Sequence, residues 1–178
     1  MSEEKVLTGA NARTKEIAIV AVLIAIGAVL RMVSPAIAGI TPNFVIAMYC
    51  LSIMLVKPKL PGAVGIGFAA GAISMVTTKS PIPYINLLSE PVGAVVALMV
   101  LLALPNLSVR GHSLRPLIIG ALATIASGSL YVISNMFLLN LPVEVAKVAF
   151  LTVVVPVTLI NGVITQILYY PTNRFVNL

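Results

Sequence analysis

Charge is what this chain has least of: 9% of its 178 residues are charged, against 60% hydrophobic, and the mean hydropathy is +1.11. So little charge excludes a water-soluble globule, because a body this small cannot hide that much apolar surface, and it makes the bilayer the solvent. The single cysteine, Cys50, lies inside an apolar run, which excludes an internal disulfide and a multi-thiolate metal site. The single histidine, His112, falls in a polar connection, and no His/Asp/Glu set has metal-ligand spacing. Neither G-x-S-x-G nor H-E-x-x-H occurs, nor does the phosphate-binding G-x-x-x-x-G-K-[ST]. The chain is therefore expected to be no enzyme and to need no metal or cofactor. Its net charge of +6 comes from 11 basic residues scattered at the ends of apolar runs, without the aromatic interleaving of a nucleic-acid surface.

What is present is a series of six apolar stretches, at residues 15–33, 43–56, 62–76, 86–104, 115–140 and 143–170. A spanning helix needs about 20 residues to cross roughly 30 Å of hydrocarbon, so the length is used up by six helices and short loops. The expected fold is all-α: a six-helix bundle over residues 15–171, multi-pass in the cell membrane and bathed in lipid, between polar tails at 1–14 and 172–178. The first tail has no apolar core or cleavage site of a secretory signal. An N-in/C-in arrangement puts Lys5, Arg13, Lys15, Lys57, Lys59, Arg110, Arg115 and Arg174 inside, against Arg31, Lys79 and Lys147 outside, eight against three. The second and third spans are short, consistent with tilted or partly re-entrant segments.

Prolines and small residues punctuate the runs. Pro35, Gly39 and Pro42 keep the first loop extended; Pro91 is expected in the first turn of span 4, where proline is tolerated, and Pro171 is expected to end span 6. Pro156, inside span 6, removes a backbone donor. Ala63, Gly67 and Gly71 in span 3, and Gly120, Thr124 and Gly128 in span 5, recur every four residues and predict close helix contacts. In span 1, Ala18, Ala21, Ala25 and Ala28 lie on one face, a stripe that suits docking to a partner or packing within the bundle.

Polar groups inside lipid are costly unless paired or facing a cavity, so their positions carry the functional signal. Glu90 is the one acid beyond the first two residues of a span, with Asn86 a turn before it. A carboxylate there could meet a ligand's ammonium group or form a salt bridge with Arg31 or Lys79. Ser127, Tyr131, Ser134 and Asn135 share a face of span 5; Thr158, Asn161 and Thr165 share one of span 6, with Asn161 toward the inner half and suited to cross-helix bonding. Asn43 beside Pro42 and Tyr84 beside Pro83 complete an outer set of cations (Arg31, Lys79), one anion (Glu90), amides and phenols, suited to a small zwitterionic or aromatic solute. Met48, Phe44, Met136 and Phe137 are candidates for its apolar walls.

Three segments carry a resemblance. Ala21-x-x-x-Ala25 in the first helix, KPKLPGAVGIGFAAGAISMVTTKSPIPYINLLSEPV from Lys57 to Val92, and VVPVTLINGVITQILYYP from Val154 to Pro171 resemble the substrate-binding S components of energy-coupling factor importers, and among them the tryptophan transport protein family. The resemblance implies capture of tryptophan or a similar small molecule at the outer face. It also implies docking through the alanine stripe to a coupling T protein with two cytosolic ATPases, and ATP-driven toppling of the bundle. Read from the residues alone, an autonomous ion-coupled carrier or channel with Glu90 as its titrating group remains the alternative.

Overall fold

The computed structural model describes residues 3–37, 40–105, 107–109 and 112–176. Gly39, Asn106 and Arg110 lie outside the described residues, as do the side chains of Lys5 and His112. The helices are α1 (Glu3–Val33), α2 (Val45–Val56), α3 (Leu60–Thr77), α4 (Asn86–Ala103), α5 (Arg115–Leu138), α6 (Val143–Ala149) and α7 (Val155–Val176), with a 3₁₀ turn at Pro83–Ile85 leading into α4. Helix α1 begins well ahead of its apolar portion, Ala12–Val33. Among the described residues, five helical segments are long and apolar enough to cross a membrane, α6 and α7 counting as one, and α2 is a sixth, shorter apolar helix. A two-residue antiparallel ribbon, β1 (Ser108–Val109) with β2 (His112–Ser113), sits in the α4–α5 connection and was not foreseen by the all-helical reading.

Helix α2 is the axis of the bundle. Every residue from Val45 to Met54 is buried, and α1, α3, α4, α5 and α7 all pack on it. Its 12 residues span about 18 Å, well short of the hydrocarbon thickness. The non-helical chain from Thr41 to Asn43 leads into its N-terminus largely enclosed by the bundle. Non-helical backbone is tolerated there because protein surrounds it. The Asn43 side-chain oxygen accepts the Val45 N–H at 3.2 Å, an Asx turn that starts α2 one residue after Pro42. Large apolar side chains such as Val76, Leu102, Phe137 and Leu159 point outward and are exposed, the pattern of a lipid-facing belt.

The small-residue stripes work as close-contact sites. A Cβ at Gly67 would stand 2.5 Å from Pro91 Cα, and one at Gly71 would stand 2.7 Å from the Asn86 carbonyl, so α3 and α4 touch backbone to backbone. Likewise Gly120 faces Thr165 and the Asn161 carbonyl on α7, and Gly128 faces Val154. Gly27 of α1 admits the Val45 backbone of α2. Ala18, Ala21 and Ala25 are exposed and Ala28 is half-buried, so most of the alanine stripe is not consumed by the bundle.

Two proline expectations need correction. Pro91 lies inside α4, in its second turn rather than its first, where the glycine surface of α3 receives it. Pro171 does not end the last helix, which runs on to Val176; a proline restricts the residue before it and removes one donor, and neighbouring turns can carry the helix through. At Pro156 the helix adjusts upstream: Phe150–Val154 widens into a π turn in which the Val155 N–H reaches back to the Phe150 carbonyl. A π turn inserts one residue into the ladder just before the residue that cannot donate.

Candidate functional site

The α1–α2, α3–α4 and α5–α6 connections meet at one end of the bundle. There the first two are laced together: Thr41 N–H donates to Ser80 Oγ at 3.0 Å, Lys79 N–H to Thr41 Oγ1 at 2.8 Å, and Lys79 Nζ to the Ser34 carbonyl at 3.0 Å. Ile37 and Ile40 form a reciprocal backbone bridge. Beneath this lacing lies a hollow of about 40 Å³. Its polar lining is Arg31, Thr41, Asn43, Asn86, Glu90, Thr124, Ser127 and Tyr131, and its apolar wall is Ile40, Ile46, Val132, Val153, Val154 and Val157.

The polar groups are delivered by α1, the chain before α2, α4 and α5. Arg31 comes from the last turn of α1 and is only 2% exposed; Asn86 and Glu90, one turn apart on α4, are each 1% exposed. The guanidinium donates through Nη2 to Asn86 Oδ1 at 3.1 Å, and the Asn86 amide donates to the Pro83 carbonyl at 2.6 Å, so the 3₁₀ turn fixes which face Asn86 offers to Arg31. Asn43 donates to Glu90 Oε1 at 2.5 Å and lies 3.3 Å from Ser74 Oγ of α3. Tyr131 donates to the Ile82 carbonyl at 3.2 Å, tying α5 to the second loop.

The electrostatic arrangement is incomplete. Arg31 Nε and Nη1 are buried without a hydrogen-bond partner, and Glu90 Oε2 makes no hydrogen bond of good geometry although the Ser127 and Tyr49 hydroxyls stand beside the carboxylate. Instead of the expected salt bridge to Arg31 or Lys79, each charge is held by an asparagine, and Lys79 is engaged by a carbonyl. An unpaired buried ion is among the costliest things a fold can carry. Arg31 and Glu90 both line the hollow, so it carries one group of each charge.

Five of the residues singled out from sequence, Arg31, Asn43, Asn86, Glu90 and Tyr131, are brought together here. Three are not. Tyr84 is 59% exposed beyond the hollow. Asn135 donates back to the Tyr131 carbonyl in its own helix. Asn161 is buried behind the lining and donates to the Asn43 carbonyl at 3.0 Å and Thr124 Oγ1 at 3.1 Å, a support for the Asn43 backbone. The expected apolar walls are also corrected: Met48 is fully buried in the core and Phe137 is exposed, because α2 turns Met48 toward α1 and the wall falls to the valines around the π turn. Thr41, Thr124 and the valine set carried no sequence signal stronger than that of any membrane helix.

Comparison with known proteins gives a consistent result. The family model described as Tryptophan transporter TrpP matches residues 13–176. A probable tryptophan transport protein of Bacillus subtilis strain 168 is 32% identical over 161 residues, covering 89% of this chain and 90% of the relative. Proteins of the same description from Clostridium acetobutylicum and Clostridium perfringens are each 28% identical, over 90% and 88% of this chain and 92% and 90% of their own lengths. No solved structure matches. With a multi-pass apolar bundle and a family match running from Arg13 in α1 to the end of α7, this chain belongs to the tryptophan transporter TrpP family of membrane transport proteins.

Proposed function

We propose that the chain is the substrate-binding S component of an energy-coupling factor importer and that its ligand is tryptophan or a closely similar amino acid. The observation that carries this reading is the opposite charges of Arg31 and Glu90 lining one hollow with no salt bridge between them, the guanidinium keeping Nε and Nη1 unpartnered. The ligand's carboxylate takes the guanidinium edge and its ammonium the carboxylate edge, completing both charges as it binds. The valine wall supplies the apolar surface for an aromatic side chain, as ligand sites generally do. A hollow of about 40 Å³ holds a few waters and no indole, so binding requires the wall around the π turn to withdraw. The loop lacing over the hollow closes an outward-facing end, and the basic residues Lys57, Lys59, Arg115 and Arg174 at the other end mark the cytoplasmic side.

The motor is a separate T protein with two cytosolic ATPases. Ala21 and Ala25 of α1 face a groove shared with Gly62, Gly65 and Ala69 of α3, and a Cβ at Gly65 would meet open space. Small residues beside open space allow a partner helix to approach closely. ATP-driven tilting of the docked bundle then presents the hollow to the inside.

The test uses the purified chain alone. It contains no tryptophan, so the fluorescence of added tryptophan reports binding without background. Saturable binding at one tryptophan per chain, with no uptake into liposomes until T protein and ATPases are added, is the expected result. Uptake driven by a proton gradient through the chain alone would establish the ion-coupled carrier instead.

A further inference from the structure

The opposite end of the bundle holds a second, larger cavity, of about 440 Å³, that the transport reading does not use. It lies where the α2–α3 turn, the β-ribbon and the last turns of α4 and α7 converge on the start of α5. Among the described residues two cations line it, Lys57 and Arg115, and no acidic residue does. Lys57 holds a left-handed backbone conformation (φ 49°) that caps α2, its N–H donating to the Ile53 carbonyl at 2.9 Å. Arg115 uses Nη2 on the Leu101 carbonyl at the end of α4, while its Nε is buried without a partner.

The remaining lining is that of a membrane interface. Tyr169 and Tyr170 stack edge to face with centroids 5.5 Å apart, and Tyr170 closes the ribbon by accepting the Ser113 N–H at 2.5 Å. Tyrosines gather at headgroup depth, and basic pockets between transmembrane helices take acidic headgroups. Leu102, next to the lining residue Leu101, is 76% exposed and offers an apolar track for an acyl chain.

We propose that this cavity is a binding site for a phosphate oxyanion, carried by the headgroup of an anionic phospholipid. The lipid's phosphate meets the Lys57 ammonium and the open Arg115 edge, and its chains lie along α4. Two cations facing no acid leave a local positive charge that such a headgroup neutralises, and the lipid joins three chain segments at the end from which α3, α5 and the C-terminal turns emerge. The proposal requires only that the bundle spans a membrane.

Native mass spectrometry of the full chain, released from micelles doped with equal phosphatidylglycerol and phosphatidylcholine, tests it. One phosphatidylglycerol should remain per chain in preference to phosphatidylcholine. Lys57→Asn, which keeps a residue suited to the left-handed cap, should weaken that retention about fivefold, at an unchanged unfolding midpoint. Arg115→Gln should weaken it further. Displacement of the lipid by millimolar inorganic phosphate would assign the same oxyanion site to a soluble ligand. Equal retention of both lipids by the wild type, or full retention of phosphatidylglycerol by Lys57→Asn, would overturn the proposal.

Discussion

At the scale of single residues, the sequence singled out two ionisable groups that the fold buries together. Glu90 is the one acid beyond the first residues of an apolar stretch and Arg31 the one cation near the end of α1, and the fold buries both around one hollow. What no spacing rule could supply is that asparagines hold the two charges apart. Glu90→Gln keeps the Asn43 contact but removes the anion, so tryptophan affinity should fall about tenfold or more, while the unfolding midpoint moves little; equal loss of both would make Glu90 a structural residue. Asn86→Ala is expected to behave differently. It strips the buried guanidinium of its Asn86 hydrogen-bond partner, so thermal unfolding should reveal a loss of about 1–3 kcal/mol in the ligand-free protein. Tyr84, Asn135 and Asn161 show why polar residues near one end of a bundle are not all lining residues: helix rotation decides, and it is set by neighbours far along the chain.

At the scale of elements, the four-residue glycine period of α3 was legible as a contact surface, and the structure names its partner as α4. Gly67→Ala should cost about 1–3 kcal/mol in a chemical or thermal unfolding assay, because its Cβ would stand 2.5 Å from Pro91 Cα and backbone cannot step aside as a flexible side chain can. Gly65→Ala, which meets open space on the same helix, is the control and should be neutral. Proline was the less reliable guide. Pro171 sits within α7 and Pro156 follows a π turn, since a missing donor can be absorbed by widening the turn before it as well as by stopping the helix. That widened turn presents Val153 and Val154 to the hollow. Deleting Leu151, an exposed residue of the turn, should return it to α-helical register and rotate α6 by about 100° against α7. Tryptophan titration should then show weaker binding with helical content retained.

For the whole molecule, the question is which surface remains after the bundle has satisfied itself. Gly27 meets α2 while Ala21 and Ala25 stay exposed beside the α3 groove, so the two faces of α1 have separate uses. Ala21→Trp or Ala25→Trp should abolish co-purification with the T protein and leave tryptophan binding intact; an unchanged yield of complex would remove the stripe from the docking surface. The sequence by itself determined the solvent of this protein, its helical build and most helix limits, because hydropathy over a span is a local sum that lipid reads directly. It also marked the ionised residues that lipid does not tolerate unattended. Only the tertiary structure decided that the short α2 is the buried axis, that its truncation leaves a hollow below the surface, and which polar side chains face it. Those outcomes depend on how each helix is rotated against its neighbours, and rotation is fixed by contacts between residues far apart in the chain, such as Asn161 beneath Asn43 and Asn86 beside Arg31.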